Sequence, residues 1–227
     1  MDPLLVRGRA EARLPASYGV LDVTVHVRHP ESQDAAVRRA AELCALVDAT
    51  VTTHAESTEP LVRTARTSSI RISDAWEYDQ GGRRRRIGWT ATRSTELECA
   101  PDGDGLTGLV DDLVSDGIRI RGPRWHVTAA APGWDAARSA AVADARRRAE
   151  AYADGAGHRI GGIRWIAEPG LRLPSASVPE VESFPVSARG AAFAMENTAE
   201  ETEPLQVRIS VEPVVVEVIV EAAFDLA

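Results

Sequence analysis

Four consecutive arginines, Arg83-Arg84-Arg85-Arg86, form the densest charge in this chain. Such a run could grip a phosphate, an acidic partner, or the acidic residues Glu196, Glu200, Glu201 and Glu203 of a neighbouring subunit. The plainer reading of a charge run is a solvated hairpin end. Of the five tryptophans (Trp76, Trp89, Trp125, Trp134 and Trp165), Trp89 and Trp125 are the candidates for lining a concave sheet face. Tryptophans more commonly belong to cores and interfaces than to ligand cages. His26 and His29 are three apart near a strand end, which turns them to opposite faces and makes shared metal ligation awkward. Asp102-Gly103-Asp104-Gly105 starts like a calcium loop, but Leu106 stands where a ligand is needed and no glutamate closes it. Gly155-Ala156-Gly157 and Gly161 end a helix and enter a strand, the reverse of the order that aims helix amides at a pyrophosphate. No Gly-x-Ser-x-Gly elbow occurs. Neither a catalytic set, nor a cofactor site, nor a metal site emerges.

Composition narrows the chemistry further. All 26 basic residues among the 227 are arginine, so phosphate-loop, Schiff-base and kinase-type lysines are excluded. A net charge of −8 argues against nucleic acid as the partner, because phosphate binding rests on basic surfaces. Cys44 and Cys99 are too few for a disulfide scaffold or a four-cysteine zinc site. Both fall in apolar patterns and read as small buried hydrophobes, with one disulfide between them left open. No apolar run is long enough for a helical membrane span. The first residues, Met1-Asp2-Pro3-Leu4-Leu5-Val6-Arg7, lack a basic region followed by an apolar core, which reads as cytoplasmic. A chain trimmed of its leader would instead fit the cell envelope.

The elements that must position these residues follow from periodicity. Leu4–Leu14 and Tyr18–Arg28 alternate as strands, with Leu21, Val23, Val25 and Val27 inward. Ser32 is the expected N-cap of a helix running to about Thr50, with an apolar stripe through Val37, Ala40, Ala41, Cys44, Val47 and Val51. Leu61–Tyr78 and Arg85–Cys99 read as a long hairpin turned at Asp79-Gln80-Gly81-Gly82. In its second strand Ile87, Trp89, Ala91, Thr95, Leu97 and Cys99 share a face. Leu106–Ser115 is a short helix with Leu106, Leu109, Val110 and Leu113 inward. Ile118–Thr128 is a strand whose apolar phase flips at Gly122-Pro123, predicting a bulge or a bend. Trp134–Ala156 is a helix with a seam of Ala137, Ala141, Ala145, Ala149, Tyr152, Ala153 and Ala156. Arg159–Glu168 and Leu205–Leu226 are strands, the last flipping phase at Pro213. Residues 170–204 read as an irregular arm. This pattern predicts one α+β domain over 1–227: a curved, mainly antiparallel sheet with two long helices and one short helix packed on it.

Several blocks resemble the SIMPL-domain family. They are Val6-Arg7-Gly8-Arg9-Ala10 with Leu14-Pro15, Ile87-Gly88-Trp89-Thr90-Ala91, and Gly117–Trp125. The most specific is Ala140–Ala153, with Asp144-Ala145-Arg146-Arg147-Arg148-Ala149 at its centre, followed by Gly157–Ile163. The resemblance implies an α+β core with a curved sheet backed by helices, and rings or larger assemblies in some members. Bacterial relatives are commonly exported and animal relatives are signalling-associated interaction proteins. It implies no catalytic residue set.

The sequence therefore reads as a non-enzymatic module that self-associates as a homo-oligomer or binds a protein partner. Contacts are expected at Arg83–Arg86 and along Pro169–Pro204. The alternative is a small-molecule or peptide binder using the concave face near Trp89 and Trp125.

Overall fold

The computed structural model of the protein describes residues 2–78, 82–171 and 208–227. Their element order is β1 (Leu4–Leu14), β2 (Tyr18–His29), α1 (Gln33–Ala55), β3 (Val62–Thr67), β4 (Arg71–Tyr78), β5 (Arg84–Cys99), α2 (Gly103–Leu113), β6 (Ile118–His126), α3 (Trp134–Gly155), β7 (Ile160–Ala167) and β8 (Val214–Leu226). The architecture is α+β, and the described strand pairings are antiparallel.

The expected single sheet is corrected to two. One has the order β1-β8-β7; the other runs β3-β5-β2-β6, with β4 also pairing β5. The described chain divides into two compact units, the first gathering β1, α3, β7 and β8, the second β2 to β6 with α1 and α2. Each unit has its own buried cluster, where the sequence suggested one core. Period-2 alternation reveals which face of a strand is buried but not which strand lies beside it. Here the first strand pairs with the last.

In the first unit, small residues on β1 stand opposite bulky ones on β8. Ala12, Ala10 and Gly8 face Val216, Val218 and Val220, and Val218 and Val220 fill the space under α3 while β1 stays thin. Ala137, Ala141, Ala145, Ala149 and Ala153 are the buried residues of α3, which brings the helix backbone down onto the sheet. A Cβ on Gly8 would lie 2.1 Å from the Ala141 carbonyl oxygen and 2.6 Å from the Ala145 nitrogen. Only hydrogen fits there. Tyr152 and Ala156, expected in the seam, are exposed instead. Tyr152 lies three residues beyond Ala149 and falls off the four-residue spacing of the alanine row.

The second unit is built on β2, whose Leu21, Val23, Val25 and Val27 are buried between β5 and β6 and beneath α1. Ser32 caps α1 by accepting from the Ala35 N–H at 3.2 Å, and the helix continues past the expected end to Ala55. On β5, Ala91, Thr95, Leu97 and Cys99 are buried, as the alternation predicts. Leu106, Leu109 and Leu113 seal α2 onto the same core. The β2–β6 register shifts between Val20 and Asp22, opposite the Gly122-Pro123 step where the bulge was expected; Gly122 has φ +108°.

Two further expectations are corrected. Leu61–Tyr78 is two strands, because the chain leaves the ladder at 68–70, where the Ser68 N–H donates to the Ser94 carbonyl and the Ser94 N–H to Ser68 Oγ. The last strand begins at Val214, and residues 208–213 are outside any strand. Leu205, Val207 and most of the expected arm lie outside the described residues.

The Gly8 approach gives a direct test. Gly8→Ala should destabilise the protein by about 1–3 kcal/mol or more, the range for forcing volume into a packed site. Gly162→Ala, where an added Cβ meets nothing within 4 Å, should stay within about 0.5 kcal/mol. Urea denaturation of both variants checks this.

Candidate interaction surface

The arginine run is placed by a change in the sheet. β2 ends at His29, opposite Trp89, so residues 84–88 of β5 have only β4 beside them among the described residues. The second half of β4, Ala75–Tyr78, and the start of β5 thus leave the sheet as a two-stranded ribbon. At its root Ala75 faces Gly88 and Trp76 faces Arg86, leaving Ile87 as the extra residue of a β-bulge. Gly88 has φ +138°, and a Cβ on it would lie 2.3 Å from the His29 carbonyl oxygen. The Ile87-Gly88-Trp89 block is therefore the pivot at which sheet becomes ribbon.

Because the extra residue lies in β5, β4 alternates without interruption. Ile72, Asp74, Trp76 and Tyr78 share one face, and Arg71, Ser73, Ala75 and Glu77 the other; Ile70 lies just ahead of the strand. Ile70, Ile72 and Trp76 are each 40% exposed and Tyr78 is 69% exposed. The arginines lean on this ribbon. Arg84 stacks 3.9 Å over the Trp76 ring, Arg86 sits 5.0 Å over Trp89, Arg85 is 3.7 Å from Glu77 and Arg86 is 3.6 Å from Asp74. Exposed pairs at such distances contribute little stability, but they hold the aromatic rings in place. Arg83 lies just ahead of β5.

The structure brings Arg84, Arg85, Arg86 and Trp89 together but leaves Trp125 elsewhere. Trp89 pairs with His29 and Trp125 with Gly19, ten positions apart on β2, or roughly 30 Å at strand rise. Both tryptophans pack partly against the core of the second unit, and the Trp125 ring covers Gly19. They do not line a common concave face.

The remaining candidates serve structure. His29 Nδ1 accepts from the Ser32 N–H at 3.0 Å at the strand-to-helix corner. His54 ties α1 to Asp112 at 2.9 Å, and His126 stacks on Tyr18 at 5.1 Å. His26 is 3.3 Å from Thr92; burial, helped by Arg119, lowers its pKa. Cys44 and Cys99 are buried free thiols. Burial pushes Cys44 up and Cys99 up to about 11, which disfavours the thiolate needed for nucleophilic attack. Among the described residues no three His, Cys, Asp or Glu side chains gather as a metal site.

Two polar anchors escaped the sequence reading. Arg93 occupies the inward phase of β5 and makes a bidentate pair with Asp48 of α1 at 2.6 and 3.0 Å, with a further bond to the Cys44 carbonyl. A charged residue within an apolar phase is the signal that demands such a partner. Asp144 accepts the Arg9 N–H at 3.0 Å on the outer edge of β1, and also takes the guanidinium groups of Arg147 and Arg148. The spacing of Asp144, Arg147 and Arg148 at i, i+3 and i+4 could have revealed the ion pairs, but not the strand edge. In the first unit an open cleft of ≈ 390 Å³ is lined by Leu5, Val6, Arg7, Trp165, Glu221 and Ala222, with Arg7 paired to Glu221 at 2.7 Å.

With this geometry in view, the chain belongs to the SIMPL family, described as a protein of unknown function (DUF541), whose model matches residues 4–221. The match runs through both units. No curated protein matches the sequence. Among solved structures, a candidate amidohydrolase/peptidase from Burkholderia cenocepacia is similar at 15% identity and TM-score 0.31, over 52% of this chain and 31% of that one. A hydantoinase/carbamoylase family amidase from Burkholderia ambifaria is similar at 15% identity and TM-score 0.29, over 49% of this chain and 28% of that one. The chain thus spans about a third or less of the length of these structures.

The Asp144 anchor predicts a pH dependence. The Arg9 N–H, then Arg147 and Arg148, hold its carboxyl down to about 2, below the ordinary value of about 4. A pKa depressed by folding stabilises the protein above the unfolded value and loses that contribution as pH falls through the folded one. Asp144→Asn should therefore be less stable than the native protein at pH 7, and the gap should close between about pH 4 and 2. Denaturation midpoints across that range check it.

Proposed function

We propose that this chain is a non-enzymatic module whose work is association, with itself first of all, through the β4–β5 ribbon. The observation that carries this reading is the ribbon's combination of exposed Ile70, Ile72, Trp76 and Tyr78 with an outer β4 edge that has no strand partner among the described residues. An isolated two-stranded ribbon is marginal in water, and an unpaired apolar edge is a template for another strand. The residues that carry the family resemblance support a structural role. Gly8, Ala141, Ala145 and Asp144 bind strand to helix, and Gly88 turns the sheet into the ribbon; none converges on a reacting centre.

Binding of a small molecule or peptide is a second reading, and the cleft beside Leu5, Arg7, Trp165 and Glu221 favours it over the Trp89/Trp125 face. On that reading, a ligand that raises the thermal midpoint of the native protein should lose the effect in Trp165→Ala.

Self-association is read by light scattering over a range of concentrations. The expected result is a concentration-dependent mass at a multiple of the 24.4 kDa chain, and one chain's mass throughout would overturn the reading.

A further inference from the structure

We propose that two copies of this chain pair their β4 strands antiparallel across a two-fold axis centred on Asp74, joining their sheets through the β4 edges. This rests on the self-association reading above and specifies its interface. Antiparallel neighbours directly opposite each other point to the same face, so a symmetric pairing must match even positions with even and odd with odd. Centred on Asp74, Arg71 falls opposite Glu77 of the second copy, and Glu77 opposite the second copy's Arg71. The same register sets Ile72 against Trp76 twice.

Moving one step either way destroys the match. Centring on Ser73 puts Arg71 against Ala75 and Ile72 against Asp74. Centring on Ala75 puts Ser73 against Glu77 and Asp74 against Trp76. Of these three registers, only the one centred on Asp74 matches opposite charges and apolar residues together. Its unfavourable element is Asp74 opposite itself, and each Asp74 already has Arg86 at 3.6 Å to offset the repulsion. The extra residue lies in β5, so β4 keeps an unbroken alternation along its outer edge. A two-fold contact of this kind uses the same surface on both chains and closes at two copies.

The apolar residues then gain a purpose. Ile72 and Trp76 of both copies would lie on a single face of the joined sheet, one Ile72–Trp76 pair on either side of the central Asp74 pair, with Arg84 over each Trp76. Each alone is an exposed apolar side chain; together they make a patch that pairing brings edge to edge.

Charge reversal tests the register. Arg71→Glu alone places like charges opposite each other twice, as does Glu77→Arg alone, so each should weaken pairing at least ten-fold in sedimentation equilibrium. Mixing the two variants restores both opposite-charge pairs, so the mixture should form heterodimers where neither variant pairs with itself. Circular dichroism matching the native spectrum excludes misfolding as the cause. A native protein that associates while both variants pair as well as it does would overturn this interface and leave self-association standing. A native protein that never associates would overturn both.

Discussion

The backbone of α3 lies on the backbone of β1 at Gly8, with no room for a methyl group between them. Around that contact the first unit is arranged. An alanine at every fourth position of α3 lets the helix descend, and valines on β8 occupy the volume that β1 gives up. Asp144 accepts an N–H on the edge of β1 where strand and helix meet. Gly8 and Asp144 stand in separate blocks of the family resemblance, 136 positions apart, and the structure joins them at one place. Such a contact contributes through dispersion and the exclusion of water, and it tolerates no added atom.

The second unit obeys the opposite logic at one end. Its core around Leu21, Val23, Leu97 and Leu106 is sealed by α1 and α2, but β5 outruns β2 and carries β4 with it beyond the helices. Among the described residues, Ala75–Tyr78 and Arg84–Gly88 have strand partners on one side only. The arginine run lays guanidinium groups over Trp76 and Trp89. Arg84 thus covers an aromatic ring of the ribbon and Arg86 one at its root.

Much of the local structure was legible. The bounds of β1, the Ser32 cap, the inward face of β5 and the bulge opposite Gly122-Pro123 follow from alternation, capping chemistry and glycine–proline punctuation, which act over a few residues. The candidate surface was half legible. A run of four arginines is visible to any reader, but Asp74, Trp76 and Glu77 become its partners only once β4 folds beside β5. Trp89 and Trp125 looked equivalent because both sit in apolar strand phases, and their separation along β2 is a matter of which residues they pair with.

By itself the sequence determined the class of fold, the faces of its strands and helices, and a chemistry without lysine. Those are short-range properties, set by side-chain size, polarity and spacing of two or four residues. The tertiary structure decided that the strands form two sheets rather than one, that the first strand pairs with the last, and that the outer edge of β4 has no strand partner among the described residues. These depend on contacts between residues up to about two hundred positions apart, for which periodicity carries no address.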